Sequence, residues 1–253
     1  MAKKQIKLYQ RKESIGEYYK CPMQKIMHIT FEESENDVIF KITEFDAKFD
    51  NVLKMCYYQS DGKSYYKSFP KNTKNIELIK QHYLKNAEEM FSQLGYFRPV
   101  PWEDALYEFV KRMKGSQVEW WLTGSCATCI RGIPLNPHDV DITINSKDID
   151  EVNEIFANYL IEPIVDTNGW LTKDFGVVFL HARIDLASDP VAALDEPEPV
   201  DCGPFARAHL ETVTWRGYEI KVPPLYLQLN VNKKRGRHDR VHLIQRHMES
   251  INK

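Results

Sequence analysis

Nowhere does the sequence run apolar for the roughly 20 residues that a helix needs to cross a bilayer, so a helical membrane protein is excluded. Residues 1–14 are polar and basic and lack the apolar stretch of a secretory signal, and the expectation is a cytoplasmic protein. Cysteine is scarce: Cys21, Cys56, Cys126, Cys129 and Cys202 form an odd set with no disulfide framework, as in a reducing compartment. With 11 Gly and 13 Pro in 253 residues, a low-complexity or disordered chain is excluded too. Excess charge is likewise missing. The net charge is −2, divided as 17 Lys and Arg against 13 Asp and Glu in residues 1–100 and 17 against 23 afterwards. A broad DNA-binding surface would need a much stronger positive bias.

What is present suffices for an ordinary core, since 43% of residues are apolar. Period-two alternation in Met27-His28-Ile29-Thr30-Phe31 and Val38-Ile39-Phe40-Lys41-Ile42 predicts a β-hairpin. A second strand pair is expected over 52–59 and 64–69, joined through Asp61-Gly62, because Gly tolerates positive φ in tight turns. Ile76, Ile79, Tyr83, Ala87, Met90, Phe91 and Leu94 recur at three- and four-residue steps, which predicts an amphipathic helix over 74–94. Nine of the thirteen tyrosines precede residue 100, among them Tyr18-Tyr19, Tyr57-Tyr58 and Tyr65-Tyr66. Cross-strand pairing on a half-exposed sheet is their plainer role, stacking on RNA bases the alternative.

Arg98-Pro-Val-Pro101 breaks the pattern, and we place the boundary between an N-terminal sheet-plus-helix domain, 1–100, and a second domain, 101–253, there. Beyond it, helices are expected over 102–114, 125–131, 146–160, 223–231 and 238–248. Strands are expected over 118–123, 140–144, 161–165, 176–181 and 183–186, with a late hairpin over 212–222. Such alternation makes a mixed α/β (α+β) fold. The Cys126/Cys129 pair reads as small residues on a buried helix face, with zinc or redox chemistry the alternative, since no second Cys/His pair accompanies it.

Chemistry concentrates in 121–144. Asp139 and Asp141 are two residues apart at a strand start, which puts both carboxylates on one face about 7 Å apart at their Cα atoms. Upstream, Gly124-Ser125 sits at a strand-to-helix junction, where a ligand can approach the backbone and free amides can hold phosphate oxygens. Downstream, Ile184-Asp185-Leu186 sets one carboxylate in an apolar strand, where it needs a partner or a cation. A calcium loop would need five or more oxygen ligands in one short stretch, which this is not.

Gly-Ser, a gap of about a dozen residues, Asp-x-Asp among apolar residues and a later Asp between apolar neighbours together resemble the DNA polymerase β-like nucleotidyltransferase superfamily. Lys233-Lys-Arg-Gly-Arg-His-Asp-Arg-Val-His-Leu-Ile244 is similar to the segment closing stand-alone bacterial and toxin-like members, and the resemblance spans about 102–248. It implies a mixed sheet flanked by helices. It implies also that nucleoside monophosphate passes from a nucleoside triphosphate to an acceptor hydroxyl, with Asp139, Asp141 and Asp185 holding two Mg²⁺ (or Mn²⁺) ions. Asp185 would draw the acceptor's proton. Gly124, Ser125, Arg131, Lys233 and Arg237 would hold the triphosphate, although 233–240 also reads as a solvated basic helix face, with Asp239 orienting Arg237 or capping that helix. His138, beside the first carboxylate, reads as an incidental loop residue, with substrate contact the alternative. The acceptor is a small, antibiotic-like molecule or a tRNA or protein. A nucleotide-binding module without turnover is the alternative, disfavoured because idle buried acids carry a stability cost.

Overall fold

The computed structural model describes residues 27–251. The Tyr18-Tyr19 pair and Cys21 lie outside the described residues. The alternating segments form β1 (Met27–Glu33) and β2 (Asp37–Phe45), an antiparallel pair with Phe31 opposite Phe40. Val38, Phe40 and Ile42 are all buried, as period two demands of one face. β4 (Tyr65–Pro70) lies against β2, and the two-residue β3 (Gln59–Ser60) closes a four-stranded sheet of order β1-β2-β4-β3.

The strand expected over 52–59 is instead largely a helix, α1 (Asp50–Met55). Val52, Leu53 and Cys56 are buried, a helical spacing; a strand would have turned Lys54 inward with Val52 and Cys56. Lys54 pairs with Asp50 at the helix surface. The turn itself forms at Asp61-Gly62, where Asp61 accepts the amides of Lys63 at 2.9 Å and Ser64 at 2.7 Å and Gly62 takes φ +86°.

α2 (Ile76–Leu94) buries its apolar stripe between the two sheets, and Tyr83 meets Phe40 edge to face at 4.9 Å. α3 (Trp102–Met113) follows the proline pair. The second sheet has order β5-β6-β9-β8-β7, built from β5 (Trp120–Thr123), β6 (Val140–Ile144), β7 (Leu160–Asp166), β8 (Asp174–Leu180) and β9 (Ala182–Ser188). Only β6 and β9 run parallel; the other neighbours are antiparallel. This is a mixed α/β architecture. α4 (Gly124–Cys129) leads out of β5.

The helix expected over 146–160 is shorter: one 3₁₀ turn, then α5 (Ile149–Ile155). Asn145 caps it by accepting the Lys147 amide at 3.2 Å. The chain then tucks Phe156 into the core and enters β7, whose register slips around Pro163, a residue with no amide to give the ladder. After β9 come α6 (Pro204–Ala208), the hairpin β10 (Glu211–Trp215) and β11 (Tyr218–Val222), α7 (Leu225–Lys234) and α8 (His238–Ile251).

Buried apolar residues form one continuous cluster from Met27 to Val222, so the core runs unbroken past residue 100. A polar bridge adds to it: Glu162 of β7, 1% exposed, accepts from Tyr58 at 2.9 Å and pairs with Lys67 at 2.5 Å. Tyr58 also shares a 2.7 Å hydrogen bond with Tyr83. No helix of the described residues is long and apolar enough to cross a membrane.

Candidate active site

β6 and β9 place the carboxylates. In their parallel register Asp141 stands beside Asp185, and Asp139, two residues before Asp141, shares the face. One carboxylate oxygen from each of the three lies within 4.8 Å of the others, the one such His/Cys/Asp/Glu group among the described residues. The opposite face is apolar, with Val140, Ile142, Ile184 and Leu186 buried, so the sheet cannot turn over without placing charge in the core.

Asp139 and Asp141 both resist ionisation. Burial, then the charge of Asp185, raises the Asp139 pKa to about 6. Asp141 is held well above the usual carboxylate range by burial and then by Asp139, Asp185 and Asp201. Asp185 has a counter-charge: Arg183, two residues back on the same face, donates Nε to its Oδ1 at 2.5 Å. Arg183 is itself 5% exposed, and its Nη1 otherwise meets soft sulfur, Cys56 Sγ at 3.6 Å and Met90 Sδ at 3.9 Å.

Gly124 is required twice over. Its φ is +65°, and a Cβ built there would lie 2.0 Å from Asp141 Oδ2. The β5–α4 junction thus presses bare backbone against the acid pair. Its amide donates to Asp201 Oδ2 at 3.1 Å, and its carbonyl accepts from Gln228 Nε2 at 3.2 Å. Asp201 is buried, which raises its pKa, while the Gly124 amide and Arg235 pull it down. Nothing in the sequence near Val200-Asp201-Cys202 signals this fourth acid; only the fold brings it beside Gly124.

Gly124, Ser125 and the three carboxylates line a cleft of about 870 Å³. The turn between α7 and α8 adds Arg235 and Arg237, and the start of α8 adds Arg240. Burial, then Arg235 and Arg240, lower the Arg237 pKa, as crowded like charges must. A small cluster, Ile133, Leu225, Leu229, Val241 and Ile244, fixes that turn.

Two residues expected at the triphosphate are placed elsewhere. Arg131 pairs with Glu211 at 2.5 Å and donates to the Pro223 carbonyl at 2.9 Å, away from the residues that line the cleft. Lys233 is exposed on α7 and is also not among them. Of the basic segment, it is Arg235, Arg237 and Arg240 that face the acids, with Asp239 beside them in the first turn of α8.

His138 is a buttress. Its Nδ1 lies 2.8 Å from the Leu94 carbonyl, its ring lies 3.9 Å from that of Tyr96, and burial lowers its pKa. The thiols of the CxxC serve the same loop: Cys126 donates to the Asp139 carbonyl at 3.2 Å and Cys129 to that of Leu135 at 3.7 Å. The remaining wall comes from outside this sheet's central strands. Met55, the last residue of α1, and Tyr57 just beyond it line the cleft with Trp170 and Leu171 of the β7–β8 loop, and Tyr57 meets Trp170 edge to face at 4.7 Å.

No family model matches the sequence, and no curated protein matches it. Solved structures similar to it include the following two. One is a candidate nucleotidyltransferase from Thermotoga maritima, 18% identical, with 58% of this chain and 91% of that chain covered at a TM-score of 0.42. The other is a lincosamide antibiotic adenylyltransferase, LnuA, in its lincomycin-bound form, 11% identical, with 58% and 98% covered at a TM-score of 0.43.

Proposed function

We propose that this chain is a cytoplasmic nucleotidyltransferase of the DNA polymerase β-like kind, moving a nucleoside monophosphate from a nucleoside triphosphate to an acceptor hydroxyl. The observation that carries the proposal is the convergence of Asp139, Asp141 and Asp185 within 4.8 Å, with the bare backbone of Gly124 against Asp141. The donor set fits Mg²⁺ or Mn²⁺. It is all hard carboxylate oxygen, and the raised proton affinities of Asp139 and Asp141 show two acids short of positive charge. When bound, two such ions neutralise charge on the attacking and leaving oxygens of an in-line displacement.

The chain's own groups would divide the remaining work. Arg183 fixes Asp185 through Oδ1, which leaves Oδ2 to receive the acceptor's proton. The acceptor oxygen then bonds the α-phosphorus as the bond to the bridging oxygen breaks, and pyrophosphate leaves. Arg235, Arg237 and Arg240 match that leaving charge, since guanidinium forks suit phosphate oxygens. Gly124 and Ser125 line the cleft beside the acids, while Met55 and Tyr57, from the segment before residue 101, supply part of the opposite wall. The acceptor is a small-molecule hydroxyl or one on tRNA or protein.

The test is incubation with each α-labelled nucleoside triphosphate, Mg²⁺ or Mn²⁺, and a panel of acceptors including tRNA and aminoglycosides. Label should move to one acceptor with release of pyrophosphate, and Asp185→Asn should abolish transfer while the protein stays folded. Near-normal turnover by that variant would overturn the assignment.

A further inference from the structure

The cleft is polarised. Arg235, Arg237 and Arg240 line it from the α7–α8 corner, which Gln228 of α7 ties to the Gly124 carbonyl at the β5 edge of the sheet. Asp185 adjoins the other end, because Arg183, which holds it, reaches with its second nitrogen to Cys56. Immediately after Cys56 stands Tyr57, and the wall there, Met55, Tyr57, Trp170 and Leu171, carries no charge.

That wall is unusually open for its composition. Tyr57 is 62% exposed, Met55 51%, Leu171 42% and Trp170 36%. Apolar area is normally withdrawn from water, and a contiguous exposed patch inside a cleft marks a binding surface. The backbone also presents it at a cost: Tyr57 sits at φ +62°, a conformation that a non-glycine residue holds only when its surroundings impose it. The tight turn that follows α1 throws the ring outward against the edge of Trp170 rather than into the core.

Resting on the proposed transferase reading, we infer that Met55, Tyr57, Trp170 and Leu171 form the acceptor subsite, and that the acceptor carries a flat, uncharged ring next to its reactive hydroxyl. The triphosphate occupies the arginine end, so the in-line acceptor must approach from Asp185's side, where the aromatic wall stands. A nucleoside at an RNA end and a small aromatic alcohol share this chemistry. A polycationic aminoglycoside does not, because the wall offers it no carboxylate. Of the acids at 195–198, Asp195 is taken up locally, accepting the amides of Val200 at 3.1 Å and Phe205 at 2.8 Å, and neither it nor Glu196 or Glu198 lines the cleft.

The experiment is equilibrium titration of the full chain, read by tryptophan fluorescence and by calorimetry, without divalent metal and with the donor site saturated by ATP. The probes are adenosine, 2-phenylethanol, tRNA and kanamycin. Adenosine or 2-phenylethanol should bind, with affinity falling about tenfold in Tyr57→Ala, the scale of one lost ring stack, and recovering in Tyr57→Phe. ATP affinity should be unmoved by Tyr57→Ala. Stronger binding of tRNA than of the small probes would identify an RNA end as the source; comparable binding would identify a small alcohol. Kanamycin binding that exceeds both and ignores Tyr57→Ala overturns the inference, as does a loss of ATP affinity in that variant, which would give the wall to the donor base. If the rings bind as stated but no labelled nucleotide is ever transferred, the transferase reading fails and the subsite stands.

Discussion

Asp139→Asn should make the metal-free protein more stable. Burial and the nearby charge of Asp185 raise the Asp139 pKa from 3.8 to about 6, so the folded state holds this proton more tightly than the unfolded chain does. Stability from this group is therefore fully present below pH 4, is lost as pH rises from about 4 to 6, and above that the ionised carboxylate is a net burden. At 1.36 kcal/mol per pKa unit the burden is about 3 kcal/mol. Asparagine has nearly the same shape and no charge, and its presence relieves Asp141 as well, for which Asp139 is the largest cause of elevation after burial. For a chain of this size the gain is a rise in Tm of about 6 to 12 °C at pH 8 in chelator, vanishing near pH 4. Added Mg²⁺ should close most of that gap: the wild type gains about 2.7 kcal/mol at a hundredfold excess over Kd, while the variant loses that response. Differential scanning fluorimetry of both proteins from pH 4 to 8, with chelator and with Mg²⁺, reads each part. A variant no more stable than wild type at pH 8 without metal, or a difference that does not change with pH, would refute the reasoning.

Gly124→Ala is expected to lower transfer about a hundredfold, because the new Cβ at 2.0 Å forces Asp141 Oδ2 aside by more than an ångström, and to cost about 1–2 kcal/mol from φ +65°. Initial rates and a melting curve check both; wild-type rates would show that Asp141's position is immaterial. Arg237→Met should weaken ATP binding about tenfold or more by calorimetry, the scale of a lost charge-assisted contact, whereas Arg131→Met should leave it unchanged. The reverse ranking would put the triphosphate on the α4 side instead.

Much of the fold is legible because its segments meet local rules. β1 and β2 alternate cleanly, α2 carries an unbroken apolar stripe, and Asp139, Asp141 and Asp185 each sit where strand periodicity shows one face. α1 is illegible because it is a six-residue helix, under two turns, whose buried Val52, Leu53 and Cys56 match a strand nearly as well until Lys54 is considered. The break after α5 depends on Phe156 finding the core, a tertiary event. Arg131 misleads for a like reason: its partners, Glu211 and Pro223, lie 80 and 92 residues away. In the basic segment the residue types point to phosphate, but Gly236 at φ +64° resets the helical phase, so which cations face the acids cannot be read from spacing. Asp201 has no local signature at all.

The Glu162 bridge has an evolutionary corollary. A carboxylate sealed in the catalytic sheet draws its counter-ion from Lys67 and one of its donors from Tyr58, both inherited from the segment before the proline pair. A gene fragment starting at residue 101 would encode a sheet stripped of the α2 cover and of both Glu162 partners, its apolar face open to water. The two parts of the chain are therefore bound to travel as one unit, and shuffling that swaps the front segment must bring a cation to the same spot.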